Sequence, residues 1–309
     1  MRNPEAALFN RMDRQGVFGA HYTGDERFDK LARGWNEVRP LPRDFHGIYS
    51  DEEMAQDRAR VISIKQSSGY AWERAGEGVA LEYAMMESVH NGVLGEDAYV
   101  MPTTEYDDVV NGIDFVVGFP DAEGKTATYI GVDVTTTTDG NVIAKKLERT
   151  SRQLAQNNVG RIKYFIDDQN PDVRGGLFVP RVVIGVDAGE AQKIHDAMSA
   201  DRNYSLEPEL KAELHEEMEL QLVHGLRFLL ERFYGPSASS ITDLESAEAY
   251  LAQHASRIQK QNFRLYENVQ RYRDALRALA ERAEQKKDPD SAITADAGVL
   301  LSSLRRRVY

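Results

Sequence analysis

The sequence predicts an α/β core, a mixed sheet flanked by helices, followed by an all-α region. Three observations carry that expectation. Between residues 66 and 198, strand-like apolar runs at 109–119, 126–137, 161–166 and 177–186 alternate with helix-like segments. From residue 199 to 309 only helical periodicity remains. Of 309 residues, 41% are apolar and 28% charged, a globular composition able to bury a sizeable core.

The elements follow in order. Residues 1–65 are mixed in character, with turn signals at Pro40, Pro42 and Gly47 and one polar helical run from Asp51 to Arg60, and read as an arm or cap. The core, 66–198, opens with a helix over about Glu77–His90, ended by Asn91-Gly92. There is room for a short strand at Asp97–Met101. Two strand-like runs, Val109–Phe119 and Thr126–Thr137, flank a turn at Pro120–Lys125. A polar helix over Asn141–Asn157 stops near Gly160, and the runs Arg161–Ile166 and Leu177–Val186 complete the order α-β-β-α-β-β. The helical C-terminal domain, 199–309, holds Leu206–Tyr234, closed by Gly235-Pro236, and a longer helix, Asp243–Lys287, ended by Asp288-Pro289. Along it Leu251, Ala255, Ile258, Asn262, Leu265, Val269, Tyr272, Leu276, Leu279 and Ala283 alternate spacings of four and three. That seam suits a coiled coil or helical hairpin, with Asn262 setting register or oligomer state. A homodimer or a protein partner could engage through 243–287.

Charge and composition exclude several classes. Lys and Arg number 38 against 50 Asp and Glu, a balance of −12 that argues against a general nucleic-acid coat. The helix at 243–287 reverses the sign locally: Arg257, Lys260, Arg264, Arg271, Arg273, Arg277, Arg282, Lys286 and Lys287 face only Glu267, Asp274, Glu281 and Glu284. A face that pairs with the acidic stretch Glu207–Glu219 is the plainer alternative to a nucleic-acid surface. There is no cysteine, hence no disulfide, thiolate site or Cys nucleophile. Oxygen ligands then favour Mg²⁺ or Mn²⁺. The N-terminal stretch has no apolar h-region and no apolar run approaches ~18 residues, so a cytoplasmic protein without membrane contact is expected. No phosphate-binding glycine loop or nucleophile elbow stands in the chain. His215-Glu216-Glu217-Met218-Glu219 lacks the second histidine of a zinc-protease motif and reads as a charged helix face.

The informative segment is the hairpin. With a turn centred between Glu123 and Gly124, Ile113 opposes Val134, Phe115 opposes Val132 and Val117 opposes Ile130, making one apolar face. The other face then sets Asp114 against Asp133. Directly opposed like charges are destabilising, and a divalent cation is the simplest offset. Glu82 lies on the helical stripe Val79, Glu82, Tyr83, Met86, His90, while Glu77, Glu87 and Asp108 compete as a third acid.

A helix bearing a Glu, a strand bearing Gly112-Ile113-Asp114 and a strand bearing Asp133-Val134-Thr135 resembles the PD-(D/E)XK nuclease superfamily, over about residues 70–190. The resemblance implies a restriction-endonuclease-like mixed sheet. It implies Mg²⁺ (or Mn²⁺) held by Asp114, Asp133, the carbonyl of Val134 and Glu82, and hydrolysis of DNA phosphodiesters. Thr135 departs from the pattern, since it stands where the family has a Lys. A hydroxyl supplies no positive charge, so Lys145 or Lys146, from the following helix, would have to replace it. If neither does, the expected alternative is a catalytically silent module for nucleic-acid binding or protein assembly.

Overall fold

A computed structural model describes residues 34–35, 37–67, 72–121, 127–136, 140–186, 188–200 and 206–285. Most of the N-terminal arm, the hairpin turn at 122–126, Lys286, Lys287 and the chain beyond them lie outside the described residues. The fold is mixed α/β. Its helices are α1 (Asp51–Ser67), α2 (Trp72–His90), α3 (Gly140–Ala155), α4 (Ala188–Ala200), α5 (Pro208–Tyr234), α6 (Leu244–Gln261) and α7 (Phe263–Gln285). Its strands are β1 (Tyr99–Pro102), β2 (Phe115–Pro120), β3 (Ala127–Thr136), β4 (Gly160–Ile166), β5 (Arg174–Val179) and β6 (Arg181–Val186).

One sheet has the order β1-β2-β3-β6, antiparallel except for the parallel pair β3 and β6. The room at Asp97–Met101 is filled by β1. The β2–β3 ladder has the expected register, Phe115 with Val132 and Val117 with Ile130. Its turn-distal end does not run on as expected. Residues 107–111 form a π-helical turn rather than strand, because the run at 109–119 bends at Gly112, which takes φ 68°, the left-handed region open to glycine. Ile113 consequently leaves the Phe115 face and packs with Val116, Ile162 and Val179 instead.

Neither face of this sheet is wet. Phe115, Val117, Ile130, Val132 and Val134 join the main core with α2 and the C-terminal helices. The β4–β5 hairpin, a separate two-stranded sheet, covers the other face. That approach requires Gly131, where a Cβ would stand 2.9 Å from Val179 and 3.1 Å from Ile113. The run 177–186, expected as one strand, is two. Pro180 has no N–H to give a ladder, and the chain switches sheets there while its carbonyl accepts from Gly131 N at 2.9 Å.

The long helix 243–287 is also two. Asn262 ends α6 and caps α7, its Oδ1 accepting from Leu265 N at 3.0 Å, so it breaks the helix where a seam residue was expected. Arg277 pairs with Glu248, which sets the end of α7 beside the start of α6 as a hairpin. Leu251, Ile258, Leu265, Val269, Tyr272, Leu276 and Leu279 are all buried, and they bury inside this chain. The seam is thus spent on an intramolecular hairpin rather than a coiled coil between chains. On the basic face, Arg273 pairs with Asp274, Arg277 with Glu248 and Arg282 with Asp97. Among the described residues no helix is long and apolar enough to cross a membrane.

Candidate functional site

The site forms where β2 begins. Asp114 sits just ahead of the strand, its main chain held on both sides: its N–H donates to Val132 O at 2.8 Å and its carbonyl accepts from Thr103 N at 3.0 Å. The acceptor is Val132 and not the opposed Asp133, so the ladder slips by one residue there. The Asp114 side chain turns along β3 and accepts from Val134 N at 2.7 Å. Asp108 is delivered by the π-helical turn. That turn is bolted to β4 by its buried neighbour Asp107, whose two oxygens accept from Lys163 N (2.7 Å), Tyr164 N (2.9 Å), Asn111 Nδ2 (2.6 Å) and Thr104 Oγ1 (3.0 Å). Glu82 arrives from α2. The buried stripe of that helix is Leu81, Ala84, Met85, Val89, so Glu82 flanks it rather than lying within it, and His90 is exposed.

Glu82, Asp108 and Asp114 each present a carboxylate oxygen within 4.8 Å of the others. Burial first, then the charges of Asp114 and Asp108, pushes the Glu82 carboxyl well above its ordinary range, against Arg39 and Lys146. Burial and the charges of Asp133 and Asp108 do the same to Asp114. Glu82 Oε2 is buried without a hydrogen-bond partner. An orphaned buried carboxylate oxygen is costly, and three hard oxygen donors at this spacing could hold a metal ion.

Asp133, also expected among the metal ligands, is held between two cations. It is 2% exposed, and its two oxygens meet cations: Oδ1 accepts from Lys146 Nζ at 2.5 Å and Oδ2 from Arg181. It stands beside the acid cluster, not in it. Val134 likewise offers its N–H to Asp114 and its carbonyl to Lys146, at 3.3 Å. Lys145 is exposed, and Thr135, half-buried, faces away from the Val132 and Val134 side of β3. Burial pulls the Lys146 ammonium down, but Asp133 and Asp114 outweigh it, and its pKa stands above the ordinary lysine value. It therefore keeps its charge.

Two further cations escape the sequence reading. Arg39 donates to Asp108 at 3.0 Å and to Thr103 O at 2.9 Å. Arg181 opens β6. Neither lies in a motif, and no periodicity ties them to the acids. For Arg181 the one available signal is a lone charge preceding the apolar run Val182–Val186. No protein family, curated protein or solved structure matches the chain.

Proposed function

We infer that the protein is a divalent-metal-dependent nuclease that hydrolyses phosphodiester bonds of DNA. One observation carries the reading. The ammonium of Lys146 reaches the strand motif from α3, 2.5 Å from Asp133 and 3.3 Å from Val134 O, beside three converging carboxylates. That is the charge Thr135 cannot supply. The element order supports it too: α2 with Glu82, antiparallel β1-β2-β3, α3 with Lys146, and β6 parallel to β3. A restriction-endonuclease-like core of the PD-(D/E)XK kind would have this mixed sheet flanked by helices.

Glu82, Asp108 and Asp114 would hold the Mg²⁺ or Mn²⁺ ion. The chemistry such an ion supplies is a water acidified to attack at neutral pH and a partner for phosphate charge. Asp133 orients Lys146, whose fixed positive charge stabilises the charge that grows on a phosphate oxygen in the transition state.

The test is incubation with plasmid DNA, single-stranded DNA and RNA in Mg²⁺ or Mn²⁺. Cleavage of DNA that is lost in EDTA and lost in Asp114→Asn, together with calorimetric Mn²⁺ binding lost in the same variant, is the expected result. Mn²⁺ binding without cleavage of any of these substrates would overturn the nuclease reading and favour the silent module.

A further inference from the structure

Cations gather around Asp133 in excess of the charge they meet. Lys146 and Arg181 take its two oxygens, and Arg149 stands next to Arg181. A Cβ on Gly112 would lie 2.8 Å from Nη2 of Arg181 and 3.0 Å from Nη1 of Arg149, so both guanidinium groups close over this glycine. Arg181 is 3% exposed, yet its Nε and Nη1 have no hydrogen-bond partner. Arg149 gives one N–H to Val110 O and is only half-buried. Burial, and next Arg181, holds the Arg149 pKa below the ordinary value. Two like charges this close, one of them buried and under-bonded, are costly unless an anion joins them.

We propose that Arg149 and Arg181, meeting over Gly112 beside Asp133, form a phosphate-binding subsite that seats a phosphate group of the substrate next to the acid cluster. Guanidinium groups present planar pairs of donors that match phosphate oxygens, which an ammonium cannot do. Arg149 is half-buried, and Arg181 keeps Nε and Nη1 without a hydrogen-bond partner. The charges agree: at Asp133 itself Lys146, Arg181 and Arg149 set three cations against one carboxylate, an excess that a phosphate anion would offset with or without a metal ion on the other acids. The inference leans on the nuclease reading for the identity of the substrate, but not for the anion.

The experiment is calorimetry on the full chain without metal, with inorganic phosphate as the probe. Wild type should bind phosphate, and Arg149→Met should weaken binding about tenfold, the loss of one charge-assisted contact. Arg149→Lys should not restore it. Arg152→Met, a change of equal charge at an exposed position on the same helix, should leave it unaltered. Arg181→Met would leave Asp133 with a single cation and endanger the fold, so Arg149→Met is the deciding variant. No phosphate binding in wild type, or equal weakening by Arg149→Met and Arg152→Met, overturns the subsite even if DNA is cut. Phosphate binding without any DNA cleavage would keep the subsite and sink the nuclease reading.

Discussion

Lys145 and Lys146 are adjacent in sequence and about 100° apart around the axis of α3, and among the described residues only the second meets a carboxylate. Helical geometry makes that division, and kinetics can read it. Lys146→Met keeps the stem packing and removes the charge. It should lower kcat on the order of 10²–10³-fold, the scale of one lost transition-state contact, with Mn²⁺ affinity retained. Lys145→Met should leave kcat within about twofold. Equal effects of the two substitutions, measured in steady state, would remove Lys146 from the chemistry. Asp114 and Asp133 are legible in the sequence through strand alternation and hairpin register, Glu82 through its helical stripe, and Lys146 only through the cation that the resemblance demands in place of Thr135. Asp108 is visible only as one of three competing acids, since its position depends on a π-helical turn that no period announces. Arg39 is silent in sequence and Arg181 nearly so: they reach the acids through tertiary contacts from segments with no motif.

At the scale of elements, the departures from expectation share a cause, which is a single residue redirecting the chain inside an otherwise periodic run. Gly112 bends 109–119, Pro180 divides 177–186 and Asn262 divides 243–287. Apolar periodicity reports much of what is buried, as at Leu251, Ile258, Leu265, Val269, Tyr272, Leu276 and Leu279. It does not report where a backbone hydrogen bond is dropped. The π-helical turn has the greatest consequence because it carries Asp108, and Asp107 is what holds it. Both Asp107 oxygens accept from two donors each, so Asp107→Asn would set an amide NH₂ against two N–H or O–H donors. A loss of about 1–3 kcal/mol in urea unfolding is expected. Weaker Mn²⁺ binding should accompany it as Asp108 loses its anchor. An Asp107→Asn variant with wild-type stability and wild-type Mn²⁺ affinity would show that the turn is held by something else.

For the whole molecule, the α/β sheet and the C-terminal helices share one apolar cluster, which runs from Leu81 and Val132 through Ile184 to Leu222, Leu226 and Leu276. The joint between them is α5 against β6, where Gln221 exchanges hydrogen bonds with both the N–H and the carbonyl of Val183, at 2.8 and 2.6 Å. One turn earlier, Glu217 accepts from the Gly185 backbone at the wall of a cavity of about 240 Å³. The charged helix face expected at His215–Glu219 therefore turns one acid inward. Burial pushes the Glu217 carboxyl up to about 7, from an ordinary 4.5. Below the ordinary value the folded and unfolded chains both carry this proton. Between the two values only the folded chain keeps it, so stability falls as pH rises through this window and stays lower above it. The cost at full ionisation is on the order of 3 kcal/mol. Glu217→Gln retains an oxygen for Gly185 and carries no charge. It should be near neutral at pH 4 and stabilise by about 1–3 kcal/mol at pH 8 in urea unfolding. Because the core is shared, the gain should move one cooperative transition, coincident by circular dichroism and tryptophan fluorescence. Two separated transitions, with only one of them shifted, would mean that the helices past residue 199 fold as a unit of their own. An unchanged pH profile in Glu217→Gln would mean that this carboxyl ionises in the folded chain as readily as in the unfolded one.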